Sequence, residues 1–251
     1  VWATSMENQM EAIPASNVLE AMSLIIGFED VKNELAKAVQ IRKKVNFLLE
    51  GPPACAKSLM LEAIRSVVPS AYMAFGSRTS SSGLSGALFE RQPEILLMDE
   101  ADKMHSDVFS VLLGLMESGE IIETKSKNTR GIKLRTMVIA ACNSSLKMPP
   151  EFMSRFAMHV TFPAYTRPEF IDVCVGFLSR AENAPPDIAQ LLGEMVFDNG
   201  LGDIRKARGA WQMMDEPTVG EVHRVVNLML KYSPRLNTKR PNLGKARLPG
   251  M

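Results

Sequence analysis

Gly51 is followed six residues later by Lys57-Ser58, with Pro52, Pro53, Ala54, Cys55 and Ala56 between them and Leu59 just after. Anions bind where backbone N–H groups and a helix N-terminus converge. A lysine and a hydroxyl at that point add a positive charge and a metal ligand. The strict phosphate-loop pattern has glycine where Ala56 stands, and Ala54 occupies a position that is commonly glycine as well. If either alanine needs a positive φ, the cost is roughly 1 kcal/mol. About forty residues further on, Glu94-Ile-Leu-Leu-Met-Asp99-Glu100 brings two adjacent carboxylates to the end of an apolar run. In such a pair Asp99 holds Mg²⁺ or its water and Glu100 activates the attacking water. Either stretch alone is also met in an ordinary strand–turn–helix or a solvated turn. Together they point to a site that binds ATP and Mg²⁺ and hydrolyses the γ-phosphate.

Positioning these groups takes strands that end side by side. Phe47-Leu-Leu runs into Gly-Pro-Pro, which reads as a buried strand entering a loop, and residues 58–68 turn helical, with apolar residues three and four apart. Residues 71–75, 94–99, 136–142 and 158–163 supply four more short strands. Continuous apolar runs mark strands buried on both faces of a parallel sheet, whose ligands bind beyond the carboxyl ends. Residues 76–83 read as a flexible serine-rich loop before a short helix at 84–90, and Asp30 reads as the cap of a helix reaching about residue 43. Residues 119–135 read as a β-hairpin turning near Asn128, with Lys125, Lys127, Arg130, Lys133 and Arg135 along its tip and second arm. After Pro163 only helical patterns remain, at 167–180, 186–198, 203–214 and 218–232. The expected fold is α/β: a P-loop parallel five-stranded sheet flanked by helices, followed by a small all-α lid domain. The expected division is an N-terminal extension at 1–16, an ATPase domain at 17–165, a helical lid at 166–232 and a basic flexible tail at 233–251.

The totals narrow the class. At 251 residues and 46% hydrophobic content the chain can build a full core. No apolar run reaches the length of a membrane span and no secretory leader is recognisable, so a reducing, cytoplasmic setting is expected. Three cysteines and three histidines are widely spaced and form no metal-ligand pattern, and the seventeen methionines read as packing. The net charge of +1 conceals an asymmetry, because six of the 29 basic residues, and no acid, fall at 231–251. Such a tail reads as a nucleic-acid or membrane-surface contact, or as a plain solubilising segment.

With these motifs in place the chain resembles an AAA+ ATPase module over roughly residues 22–215. Gly51-Pro-Pro-Ala-Cys-Ala-Lys-Ser58 is similar to the phosphate loop of minichromosome-maintenance (MCM) helicases. So are Asp99-Glu-Ala-Asp-Lys-Met104 and the run Leu115-Met-Glu-Ser-Gly-Glu-Ile-Ile122 leading into a hairpin. Ile25-Ile-Gly-Phe-Glu-Asp-Val31 and the short spacing look more like RuvB, the Holliday-junction motor. The resemblance implies roles by position. Asn143 matches the sensor 1 residue that orients the lytic water, and Arg155 the arginine finger that reaches a neighbouring subunit. Arg205 matches sensor 2 on the lid, with Arg208 as competitor, while Ile26 and Gly27 match the segment packing on adenine. Neither RuvB's winged-helix DNA reader nor the large N-terminal tier of MCM is recognisable, so specificity is expected from a partner protein or the tail.

Two functions follow from the resemblance. One is a homo-oligomeric ring, expected to be a hexamer, that moves or remodels DNA through the hairpin at 120–136 and the basic tail. The other is a protein remodeller resembling the MoxR or gas-vesicle ATPases, or an ATP-dependent loader or switch. Protein-threading rings usually present an aromatic pore loop, whereas Ser77–Gly83 is small, polar or charged, which favours DNA.

Overall fold

The computed structural model describes residues 3–4, 13–125 and 128–232. In chain order the elements begin with β1 (Ala3–Thr4), α1 (Ala15–Ala21), α2 (Glu29–Ile41), β2 (Phe47–Glu50) and α3 (Lys57–Val67). They continue with β3 (Ala71–Phe75), α4 (Ser81–Arg91), β4 (Ile95–Asp99), α5 (Ser106–Glu117), β5 (Glu120–Lys125), β6 (Asn128–Lys133) and β7 (Met137–Cys142). Last come α6 (Pro150–Met153), β8 (Met158–Thr161), α7 (Arg167–Ala181), α8 (Pro186–Asp198), α9 (Ile204–Gln212) and α10 (Val219–Tyr232). The basic tail at 233–251, Lys127 and most of the N-terminal extension lie outside the described residues.

Five strands form one parallel sheet in the order β3-β4-β7-β2-β8. Side chains alternate across a strand, so odd and even positions face different layers. Phe47, Leu49, Ile95, Leu97 and Ile139 join one core with α1, α2 and α3, while Leu48, Leu96, Met98, Val138 and Ala140 join a second with α4, α5 and α6. Leu96, Leu97 and Met98 are fully buried, each worth about 1.5–3 kcal/mol relative to exposure. This two-sided burial explains why β4 and β7 read as unbroken apolar runs. The order also sets β7 between β2 and β4, so the loop after β2, the residue after β7 and the acids ending β4 emerge at one edge.

Helices α7–α10 gather around a third apolar cluster that includes Phe170, Cys174, Leu192, Val196, Val222 and Val226. A capping box opens α7: the Thr166 side chain accepts from the N3 backbone, and Glu169 accepts from the Thr166 N–H at 2.8 Å. Among the described residues no helix is long and apolar enough to cross a membrane.

Two local expectations need correction. The N-cap of α2 is Phe28 at φ 59°, without a side-chain bond, and Asp30 sits inside the first turn, where its carboxylate accepts the Val31 N–H. The serine-rich stretch is ordered structure: Gly76–Arg78 form a 3-10 turn, and Ser80 caps α4 by accepting the Gly83 N–H at 3.1 Å. Serine is among the best residues for that position. The basic second arm of the hairpin faces acids on the first arm. Its register sets Glu123 across from Arg130 and Glu120 across from Lys133. Arg130 Nε donates to Glu123 Oε2 at 2.6 Å, Lys133 Nζ lies 3.7 Å from Glu120 Oε1, and the Arg130 guanidinium rests 4.1 Å over the Phe89 ring of α4.

Candidate active site

The phosphate loop is shaped by close approach. A Cβ on Gly51 would meet the Phe162 carbonyl oxygen at 2.7 Å and its Cβ at 2.8 Å, so only glycine fits beneath the strand-to-α7 connection. Ala54 adopts φ 65°, whereas Ala56 sits at φ −59°. The strained alanine is therefore the first of the two. Lys57 is buried at the start of α3 and donates to Gly51 O and Pro52 O, each at 2.7 Å. Burial is the main cause that lowers its pKa. A buried ammonium satisfied only by two carbonyls of its own loop is poised to exchange them for an anionic oxygen.

A cleft of about 370 Å³ opens above this loop. Pro53, Ala54, Cys55, Lys57 and Ser58 border it from the loop, Asp99 and Glu100 from the end of β4, Asn143 from beyond β7 and Arg205 from α9. Residues from four separate elements thus meet at one place. Glu100 has φ 53°, and Gly76 must be glycine because a Cβ there would strike the Glu100 carbonyl. The Glu100 carboxylate accepts from Lys103 and, at 2.5 Å, from Ser77 Oγ. These bonds, Lys103 first, hold its carboxyl below the usual range. Ser77, together with Phe75 and Arg78 on the same border, was not singled out from sequence. The signal was its position at the end of the strand beside β4.

The remaining expected residues divide between the cleft and its surroundings. The Asn143 N–H donates to Asp102 Oδ1 at 3.3 Å, which ties the end of β7 to the turn after Glu100. Arg205 is held by Asp203, at 2.8 Å from Nη2 to Oδ2, and borders the cleft. Arg208 instead pairs with Glu182 at 2.5 Å, with its guanidinium 6.0 Å from the Phe177 ring centroid. Arg155 lies away from the cleft border, with Nη2 3.1 Å from Glu117 Oε2. Its backbone is fixed by buried Asn46, whose Nδ2 donates to Arg155 O at 3.1 Å and whose Oδ1 accepts the Val138 N–H. Gly51, Pro52, Ala56 and Leu59 shape the loop without bordering the cleft. Ile26 packs against Gly176 of α7, and Gly27 and Phe28 take φ 79° and 59° beside it.

The donor set suits Mg²⁺. Ser58 and Asp99 offer hard oxygens on one border of the cleft, and among the described residues no group of three or more His, Cys, Asp or Glu could form an all-protein cage. Mg²⁺ is usually held by one or two such ligands, substrate phosphates and water.

A parallel sheet with a buried lysine at a strand-to-helix loop and acids at a neighbouring strand end defines the P-loop class of nucleotide-binding α/β folds. Residues 47–164 match the family model of the ATPase family associated with various cellular activities (AAA). Among curated proteins it is similar to the DNA replication licensing factor MCM4 of Arabidopsis thaliana, 28% identical over 151 residues, covering 49% of this chain and 18% of that protein. It is also 28% identical over 173 residues to the licensing factor mcm7 of Schizosaccharomyces pombe, covering 53% and 23%. The chain therefore spans about a fifth of the length of these relatives. Among solved structures it is similar to Thermotoga maritima RuvB. A variant of that protein gives a TM-score of 0.63 at 18% identity, covering 81% of this chain and 70% of the other. The Thermotoga maritima RuvB Holliday junction branch migration motor gives 0.59 at 19%, with the same coverage. These structural likenesses establish the five-stranded AAA-type fold.

Proposed function

We propose that this chain couples ATP hydrolysis, in an oligomeric ring, to translocation along DNA or its remodelling. One observation carries the hydrolytic part: Lys57, Ser58, Asp99, Glu100, Asn143 and Arg205 border a single cleft although they come from four elements. Lys57 leaves its two loop carbonyls for a β/γ-phosphate oxygen, and the loop N–H groups hold the rest of the chain of phosphates. Ser58 and Asp99 would hold Mg²⁺, which would supply neutralisation of the phosphate charge. Glu100 takes the proton of the attacking water once it is free of Lys103 and Ser77, and Asn143 orients that water. Arg205, from the lid, offsets charge on the transferring group, and Arg155 does so from a neighbouring copy.

The DNA part rests on similarity to licensing factors and to a branch migration motor, with Lys125 and Lys127 at the hairpin end as the phosphate-contacting charges. One observation favours remodelling of a protein instead. The hairpin arms neutralise one another in pairs, and Ile122 between them is 61% exposed.

A single set of measurements tests both levels. Glu100→Gln should keep nucleotide affinity and lose turnover by about 10²–10⁴-fold, since base catalysis alone is removed. Wild-type turnover in this variant contradicts the assignment of Glu100. Turnover of the unaltered chain should rise with duplex or single-stranded DNA. A rise only with an unfolded protein substrate moves the remodelling reading ahead.

A further inference from the structure

We infer that Glu50 is a positioning residue for hydrolysis, holding the loop that carries Asn143 in register with the phosphate loop. The inference rests on the role proposed for Asn143. Glu50 ends the buried run Phe47-Leu-Leu, directly before Gly51, and its side chain is only 19% exposed. A carboxylate at such a place is costly unless hydrogen-bonded. Oε1 accepts the Ser145 N–H at 2.9 Å, and Oε2 lies 2.7 Å from His159 Nε2 on edge strand β8. Two residues before Ser145, the Asn143 N–H donates to Asp102. The loop after β7 thus hangs between two carboxylates, one from the strand that opens the phosphate loop and one from the turn after Glu100. Bonds to a charged acceptor are roughly twice as strong as neutral ones. Burial opposes the charge on Glu50, yet the Ser145 and His159 bonds keep its carboxyl below the usual range. An apolar residue would extend the buried strand without this cost but would leave the Ser145 N–H without its acceptor. Small misplacements near a reacting group cost large factors in rate, so an anchor two residues from Asn143 acts on turnover more than on affinity.

The test compares E50Q, E50M, N143A and the double variant E50M/N143A in the full chain. It reads ATP turnover, affinity for a fluorescent ATP analogue and thermal melting. E50M should lower kcat about tenfold with KM and nucleotide affinity within about twofold. E50Q should recover most of that loss, because its amide oxygen still accepts from Ser145. Combined with N143A, E50M should lower turnover no further, as expected when two changes disable one device. Where E50M does not fold, E50D, one methylene shorter, must fall well below E50Q. Wild-type turnover in E50M, an undiminished effect of E50M in the N143A background, or parity of E50D and E50Q overturns the tether. Wild-type turnover in N143A removes the proposed role of Asn143, and this inference with it.

Discussion

Arg155 Nη2 lies 3.1 Å from Glu117 Oε2, at the end of α5 and away from the cleft that Lys57 borders. The role proposed for Arg155 in hydrolysis therefore requires the cleft of a neighbouring copy. Mixing Arg155→Ala chains with Lys57→Ala chains should therefore restore turnover above the sum of the two separate preparations, because some interfaces pair an intact arginine with an intact phosphate loop. Steady-state ATPase across mixing ratios, with assembly followed by light scattering, checks this. A flat response in fully assembled mixtures rules out action in trans.

The two alanines of the phosphate loop should respond differently to glycine. Ala54 at φ 65° occupies the left-handed region, which costs an L-residue about 1–2 kcal/mol, while glycine also loosens the unfolded chain by about 0.4–1 kcal/mol. Ala54→Gly should leave stability unchanged or slightly raised. Ala56, at φ −59° ahead of α3, gains nothing from glycine, and Ala56→Gly should lose about 0.5–1 kcal/mol. Urea melts of the two variants decide the order, and a larger loss for Ala54→Gly contradicts the strain argument.

The charges of the hairpin should separate into two groups. Arg130 is committed to Glu123 and the Phe89 ring, so Arg130→Gln should cost local stability, visible as faster amide exchange in β5 and β6. Lys125→Gln with Lys127→Gln tests the other group. If the hairpin contacts DNA, the pair should flatten the slope of log affinity against log salt by about 2 units, equally for unrelated sequences. The measurement belongs in chains with and without residues 233–251, because that tail carries further basic charge. An unchanged slope in both removes the hairpin from the DNA path.

Much of the fold was legible because two-sided burial writes itself into composition: β4 is Ile-Leu-Leu-Met before its acid, and β7 is buried throughout. The cleft was legible where a motif fixes its own neighbours, as Lys57 and Ser58 do. It was less so where adjacency comes from strand order. Ser77 meets Glu100 only because β3 lies beside β4, and Glu50 meets Ser145 and His159 only because β2 lies between β7 and β8. The hairpin's ion pairs were within reach of sequence reasoning. Once Lys125 is set across from Asn128, counting back along the two arms brings Glu123 opposite Arg130. The start of α2 was misread for another reason: at Phe28 the backbone itself takes the left-handed conformation, and no capping side chain marks the boundary.

The sheet order also sets a timetable. Glu50 and Ser145 are 95 residues apart in the chain, and Glu50 and His159 are 109 apart, yet these partners flank the strand that opens the phosphate loop. Pairings across such separations form slowly, because the entropy of closing the intervening loop is lost before the contacts compensate for it. During synthesis β2 emerges long before either neighbour exists, with Leu48 and Leu49 still unshielded and both edges bare. The strand that opens the nucleotide site therefore cannot be flanked until β7 and β8 have been made. A chain stalled before β8 leaves one edge of β2 unpaired, and unpaired edges favour aggregation.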